Sequence, residues 1–202
     1  VILLIFYFII LYSIIGYGRI YTLINFKYQA SPFDGLIGIA TLILISYTTN
    51  IFFPHSYSHN LIIIGFGFLI FVFDFNKNFN KRILEYRNLS IIFLIVFIGL
   101  LMYKNHDDFY YYHFSYSLIL TNFQKIFGLG NLNHGFRTPS SIFYLNSLFF
   151  LPLVKYYLFN FSAIYILGFV NIILLKKIHS FFVTFNIKEN FNKNINYITF
   201  LN

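Results

Sequence analysis

Apolar residues fill most of this chain in long blocks broken by short polar stretches, with neither the strict alternation of a half-buried strand nor the narrow stripe of a soluble amphipathic helix. A hydrocarbon core of about 30 Å takes roughly 20 helical residues at about 1.5 Å each, and about 17 are tolerated. On that measure the blocks predict spans at 1–16, 35–53, 60–75, 89–103 and 160–176. Gly35 to Phe53 meets the length cleanly. The apolar stretches Leu61 to Phe73 and Leu89 to Tyr103 are shorter, so they borrow flanking residues or sit in a thinned bilayer. Between the last two spans, 104–158 reads as an outer loop carrying helices that lie on the membrane surface. Within it, Ser141 to Val154 is apolar, but Pro152 and Lys155 are unfavourable at mid-bilayer. An interfacial amphipathic segment would keep Lys155 in water. The predicted fold class is all-α: a polytopic transmembrane helical bundle with a juxtamembrane helix in its outer loop.

Composition strengthens this reading: 58% of residues are hydrophobic and 10% charged, against roughly 25% charged in a typical soluble domain. The net charge of +8 does not point to nucleic acid, because the basic residues sit singly or in small groups at the ends of apolar blocks, where lipid headgroups lie. The expected surroundings are a lipid bilayer, and the expected location is the cell inner (plasma) membrane, crossed several times. Without cysteine there is no disulfide, thiolate ligand or thiol nucleophile. Val1 to Ile15 lacks the basic start and small-residue cleavage site of a signal peptide and reads as a span entered partway. With a further apolar run beginning at Tyr197, the chain is expected to be part of a longer protein.

Lys and Arg over short loops set the orientation. Arg19 with Lys27, then Lys77, Lys81, Arg82 and Arg87, then Lys176, Lys177, Lys188 and Lys193 fall on one side, predicted to be cytoplasmic. Pro54 to Asn60 and Lys104 to Ser140 fall on the other. His55, His59, His106, His113 and His134 are thereby placed outside and His179 inside. Ser31-Pro32-Phe33-Asp34 reads as a helix start, with Ser31 as N-cap and Asp34 complementing the dipole, a structural role. Gly16/Gly18 and Gly65/Gly67 lack the context of a phosphate loop, and close helix packing is the reading for the second pair.

Chemistry concentrates between His106 and Ser141. Asp107 and Asp108 open a stretch predicted to be helical from about Phe109 to Phe127, in which Asp108, Tyr112 and Ser115 share a face at i, i+4 and i+7, with His113 to one side. A carboxylate beside a phenol and an imidazole can act as general base, bind a divalent cation or orient a hydroxyl. The same two acids could simply complement a helix dipole. Further along, Gly128 to Asn131 gives a turn that permits close backbone approach, followed by Asn133, His134 and Arg137 before Pro139-Ser140-Ser141 starts another helix. An arginine beside backbone N–H groups suits a phosphate or pyrophosphate. Asp107 and Asp108 are the candidate catalytic acids. Tyr112, His113, Asn131, His134 and Arg137 are the candidate substrate contacts, and a divalent metal ion, if one is used, would take Asp108 and His113.

The pattern Asp108-x-x-x-Tyr112-His113, then Gly128-Leu129-Gly130-Asn131-Leu132-x-His134-x-x-Arg137 and a Ser-Ser pair, resembles a family of large polytopic bacterial membrane proteins. Their main outer loop opens on Asp-x-x-x-Tyr-His. The likeness covers Asp107 to Asn146 and departs from the pattern by placing Asn133-His134 at a single His position. At the level of architecture, an acidic motif in the first large outer loop followed by a membrane-surface helix is similar to GT-C glycosyltransferases, among them the oligosaccharyltransferases, protein mannosyltransferases and aminoarabinose transferases. That resemblance implies transfer of a sugar from a polyprenyl-phosphate carrier to an envelope acceptor, with Asp108 as base or acceptor-positioning group, Asp107 as a second acid and Arg137 on the carrier phosphate. A transporter or flippase of lipid-linked glycans, or a non-catalytic membrane protein, would use the same groups without bond making. Transporters place ionisable residues within spans, and the clear spans carry none in their interiors.

Overall fold

The computed structural model describes residues 1–25, 31–101 and 107–199; Lys27 and His106 fall outside them. Among the described residues the chain is helical, without strands, in the order α1 (Ile2–Asn25), α2 (Ser31–Asn50), α3 (Tyr57–Lys77), α4 (Phe79–Leu101), a π-helical turn (Phe109–His113) running into α5 (Phe114–Asn122), α6 (Ser141–Leu148) and α7 (Phe161–Thr199). The stretches Ile2–Tyr21, Pro32–Asn50, Tyr57–Lys77 and Tyr156–Val183 are long and apolar enough to cross a membrane. α4 is as long, but Arg82, Glu85 and Arg87 confine its apolar part to the second half. Leu44, Ile62, Leu69, Phe73 and Ile95 stand exposed on these helices, as expected of side chains facing lipid.

α1 forms the axis. Tyr7, Ile10, Leu11, Ile14 and Ile15 are sealed from solvent, and the two ends of the Tyr7 side chain and backbone tie distant helices together. Its hydroxyl donates to Phe93 O at 3.1 Å, while Tyr165 OH donates to Tyr7 O at 2.9 Å and the two rings stack at 5.1 Å. Glycines let α2 and α3 approach. A Cβ on Gly18 would strike the Asp34 backbone, one on Gly38 the Ile14 carbonyl, and one on Gly16 the Gly67 carbonyl. Small residues at such crossings bring backbones into van der Waals contact where apolar burial gives no advantage over lipid. Both glycines of the first pair thus serve packing, together with Gly67. Gly65 faces open space, so the sequence expectation holds for only one member of the second pair.

The helix ends bearing Arg19, Asp34, Asp74 and Arg82 converge on a buried ion quartet. Arg19 Nη1 lies 2.9 Å from Asp34 Oδ2, Arg19 Nε 3.1 Å from Asp74 Oδ2, and Arg82 Nη1 3.6 Å from Asp74 Oδ2. Arg82 also donates to Tyr86 OH at 3.0 Å, and Asn78 Nδ2 to Asp74 Oδ1 at 3.0 Å. This corrects two expectations. Arg19 is not a loop cation but a residue of α1, and Arg82 is paired inside the bundle rather than facing headgroups. Asp34 has the structural role expected of it, through ion pairs across helices rather than through the dipole alone. All three of Arg19, Asp34 and Asp74 lie within a turn of the ends of their apolar helices. Each charge tolerates burial because a partner on another helix neutralises it.

At the opposite end, α6 departs from the surface-lying segment expected there. Phe143 to Phe149 are all buried, and Ser46 Oγ of α2 donates to Tyr144 O at 2.7 Å. Its polar residues Asn146 and Ser147 are buried along with the apolar ones. The segment after it turns sharply: Leu153 and Lys155 take φ of 69° and 45°, and Lys155 N donates to Leu151 O at 2.7 Å. Pro152 and Lys155 belong to this turn, and Lys155 is exposed.

Candidate functional site

The helix expected from Phe109 to Phe127 is shorter and begins with a wider turn. Phe114 N donates to Phe109 O, an i to i+5 bond that adds one residue to the turn relative to an α-helix. The altered phase changes which side chains share a face. His113 comes alongside Asp108 and Tyr112, whereas Ser115, expected on that face, donates to Tyr110 O at 3.3 Å. Asp108 sits at the N-cap position of this turn, yet its side chain makes no capping hydrogen bond. α5 then ends at Asn122 because its last carbonyls are taken from outside: Leu120 O accepts from His55 N at 2.9 Å and from Asn50 Nδ2 at 3.4 Å. Lys125 N continues the attachment, donating to Asn50 O at 2.8 Å.

The glycine-rich stretch acts as a spacer. Gly128 takes φ of 84° to enter the short 3₁₀ turn Leu129–Asn131, a conformation that disfavours a Cβ. Arg137 packs on Gly130, where a Cβ would lie 3.0 Å from its Cγ, and Tyr112 packs on Gly135, where a Cβ would lie 2.7 Å from the Tyr112 Cβ and Cγ. Gly135 is held by Asn133, whose Oδ1 accepts from Gly135 N at 2.8 Å. The following helix starts as its sequence predicts: Ser140 Oγ caps α6 by accepting from Ile142 N at 3.3 Å.

These segments enclose a cavity of about 750 Å³. The π turn supplies Asp108, Tyr112 and His113, the 3₁₀ loop supplies His134 and Arg137, α6 supplies Phe143 and Asn146, and the start of α7 supplies Asn160, Ser162 and Ala163. Two stretches separated by about twenty residues of chain, each singled out in the sequence, thus meet in one place. Asp107 and Asn131 do not line it; both are exposed beside it. Gly128 and Gly130 also stay off its wall, and Gly135 is the glycine on the lining. Sequence reasoning missed Asn146, Asn160 and Ser162. Asn146 could have been found as a polar residue inside the apolar run from Ser141 to Val154.

The donor set bears on metal binding. Among the described residues no group of three or more His, Asp or Glu side chains is placed to hold a metal ion, and Asp108 with His113 alone falls short of the ligand count a divalent cation needs.

A second polar network braces the site from behind. His55 is sealed from solvent, with Nδ1 2.6 Å from Ser147 Oγ and Nε2 3.2 Å from Ser46 O. Ser147 Oγ in turn donates to Tyr144 O at 2.7 Å, and burial, helped by stacked His59, pushes the His55 pKa down to about 3. Asn60 Nδ2 bridges to His55 O, Ser147 O and Phe150 O at 2.8–2.9 Å. The histidines of this loop were expected on the outer face as chemical equipment; His55 instead fixes α6, and with it Asn146, against the α2–α3 connection. Beside them Tyr47 stacks on Tyr144 at 3.9 Å, and burial followed by the Tyr144 hydroxyl raises the pKa of Tyr116.

Compared with known proteins, the chain matches no protein-family model, no curated protein and no solved structure.

Proposed function

We propose that the chain belongs to a membrane transferase that moves a sugar from a polyprenyl-phosphate carrier to an envelope acceptor, with GT-C-like chemistry at the outer face of the inner (plasma) membrane. One observation carries this reading: Asp108, Tyr112, His113, His134 and Arg137, drawn from two separate stretches, line a single 750 Å³ cavity that the first residues of α7 also enter. Arg137 carries a permanent positive charge able to hold phosphate oxygens in two places. The carrier phosphate is therefore assigned to Arg137, with His134 as a further donor.

In the reaction, the acceptor hydroxyl oxygen bonds to the anomeric carbon as the bond from that carbon to the carrier phosphate breaks. The bonding electrons leave on the phosphate oxygen, where Arg137 offsets the charge. The hydroxyl proton passes to the Asp108 carboxylate, with Tyr112 and His113 orienting the acceptor. No step requires a metal. Asp107 and Asn131, off the cavity wall, take no part.

Asp108→Asn in the full-length protein, assayed with a polyprenyl-linked sugar, should lower turnover by about 10²-fold or more, with expression and thermal midpoint retained. Unchanged turnover would remove Asp108 from the chemistry. Passage of a lipid-linked glycan through the same polar groups, without bond making, is the second reading. Its signature would be glycan movement across the membrane that survives Asp108→Asn while no transfer product forms in either protein.

A further inference from the structure

Two side chains at the cavity have unmet hydrogen-bonding capacity. Asn146, 4% exposed on α6, and Ser162, 1% exposed on α7, both line it. Asn146 Oδ1 and Ser162 Oγ nevertheless have no partner. Buried polar atoms of folded proteins are nearly always paired, so an unpaired atom at a cavity wall marks a place where a bound group completes the pairing.

The chemistry of that group follows from its surroundings. An amide oxygen accepts, and a hydroxyl both accepts and donates; neither carries charge. The matching group is therefore a neutral donor–acceptor, which is what an alcohol provides. Phe143 and Ala163 line the cavity close by in sequence to these two residues, and an aromatic face beside neutral hydrogen-bonding groups suits a ring with C–H bonds on its faces and hydroxyls on its edge. The formal charges on the wall, Asp108 and Arg137, come from the other two segments.

We propose that Asn146 and Ser162 form a hydroxyl-recognising subsite that takes the polyhydroxylated ring of the substrate, one ring hydroxyl donating to Asn146 Oδ1 and another exchanging a hydrogen bond with Ser162 Oγ. This rests on the transferase reading for the identity of the ring as the transferred sugar. The subsite gives that reading its selectivity: a carrier lipid without a sugar leaves both atoms unpaired, and a glycosylated carrier satisfies both.

The test uses the full-length chain in nanodiscs, with polyprenyl phosphate and with polyprenyl phosphate carrying a hexose, a pentose or an N-acetylhexosamine as probes. The wild type should bind at least one glycosylated carrier about tenfold more tightly than the bare one, the size of an ordinary neutral hydrogen bond. Ser162→Ala and Asn146→Leu should each reduce that ratio several-fold and leave bare-carrier affinity unchanged. A wild-type ratio near one for every sugar, or a ratio that both variants preserve, overturns the subsite. A second measurement needs no ligand. Removing an unpaired buried polar atom should hold or raise the thermal midpoint of the ligand-free protein in Ser162→Ala, whereas a clear drop would mean that the hydroxyl already has an internal partner, and would overturn the proposal. Failure here is separable from failure of the transferase reading. Turnover that depends on Asp108 with no sugar preference removes only the subsite, and a sugar preference lost in these variants without any transfer product removes only the reaction.

Discussion

His55 shows how much one residue's surroundings can decide. Burial, helped by the neighbouring His59, holds its imidazole neutral and pushes its pKa down to about 3, from about 6.5 in an unfolded chain. The unfolded state therefore binds the proton first as pH falls through 6.5, and stability declines from there down to about 3. At pH 5 the loss from this residue is about 2 kcal/mol. Thermal midpoints measured between pH 7 and pH 4 should fall accordingly, and His55→Gln, which keeps a donor and an acceptor, should flatten the dependence. A midpoint as steep in the variant as in the wild type would assign the effect to other groups. None of this was legible beforehand, because the partner Ser147 lies 92 positions away and a polar His-rich loop looks the same in sequence whether it faces water or braces a helix. Asp108, Tyr112, His113, His134 and Arg137 were legible because they stand out against apolar neighbours. Ser162 was not, since it stands at the start of a run that reads as greasy and its place on the cavity depends on how α7 packs.

At the scale of elements, the apolar blocks gave the helices, and the errors lie where backbone phase departs from 3.6 residues per turn. The π turn at Phe109–His113 is the clearest instance. A regular helix puts Ser115 with Asp108, and one extra residue in the turn puts His113 there instead. Deleting exposed Tyr110 makes His113 the i+4 neighbour of Asp108 in an ordinary α-helical turn, so both should stay on the cavity and turnover and thermal midpoint should change little; lost turnover would mean that the wider turn itself is required. Helix crossings give a second comparison. Gly16→Ala would drive a methyl into the Gly67 carbonyl, an overpacking expected to cost about 1–3 kcal/mol. Gly65→Ala meets nothing within 4 Å and should be neutral or stabilising, since alanine is the better helix former. Equal thermal midpoints for the two variants would contradict the crossing described.

For the whole molecule, the polar groups divide into two ends with different duties. At one end the charges of Arg19, Asp34, Asp74 and Arg82 cancel one another, and at the other the polar side chains border an open cavity. A net charge count along the loops treats both alike, which is why Arg19 and Arg82 were read as surface cations. Removing one member leaves its partners uncompensated, so Asp34→Asn should destabilise by about 3–5 kcal/mol. The double replacement Arg19→Met with Asp34→Leu should recover much of that, as paired apolar substitutes often do. Denaturant titration of both proteins in the same detergent checks this, and a double variant worse than the single would show that the quartet is more than mutual neutralisation.

The tie between Tyr7 and Tyr165 spans 158 positions of chain, and it sets an order of assembly. As the polypeptide is made, α1 enters the bilayer with the face meant for α7 still turned to lipid, and it must keep that face in waiting while α2 to α6 are synthesised. Long-range closures of this kind are slow and leave intermediates exposed. A helix made early is thus completed by one made much later, so a ribosome that stalls before Tyr165 releases a chain in which α1 has never been closed on that side.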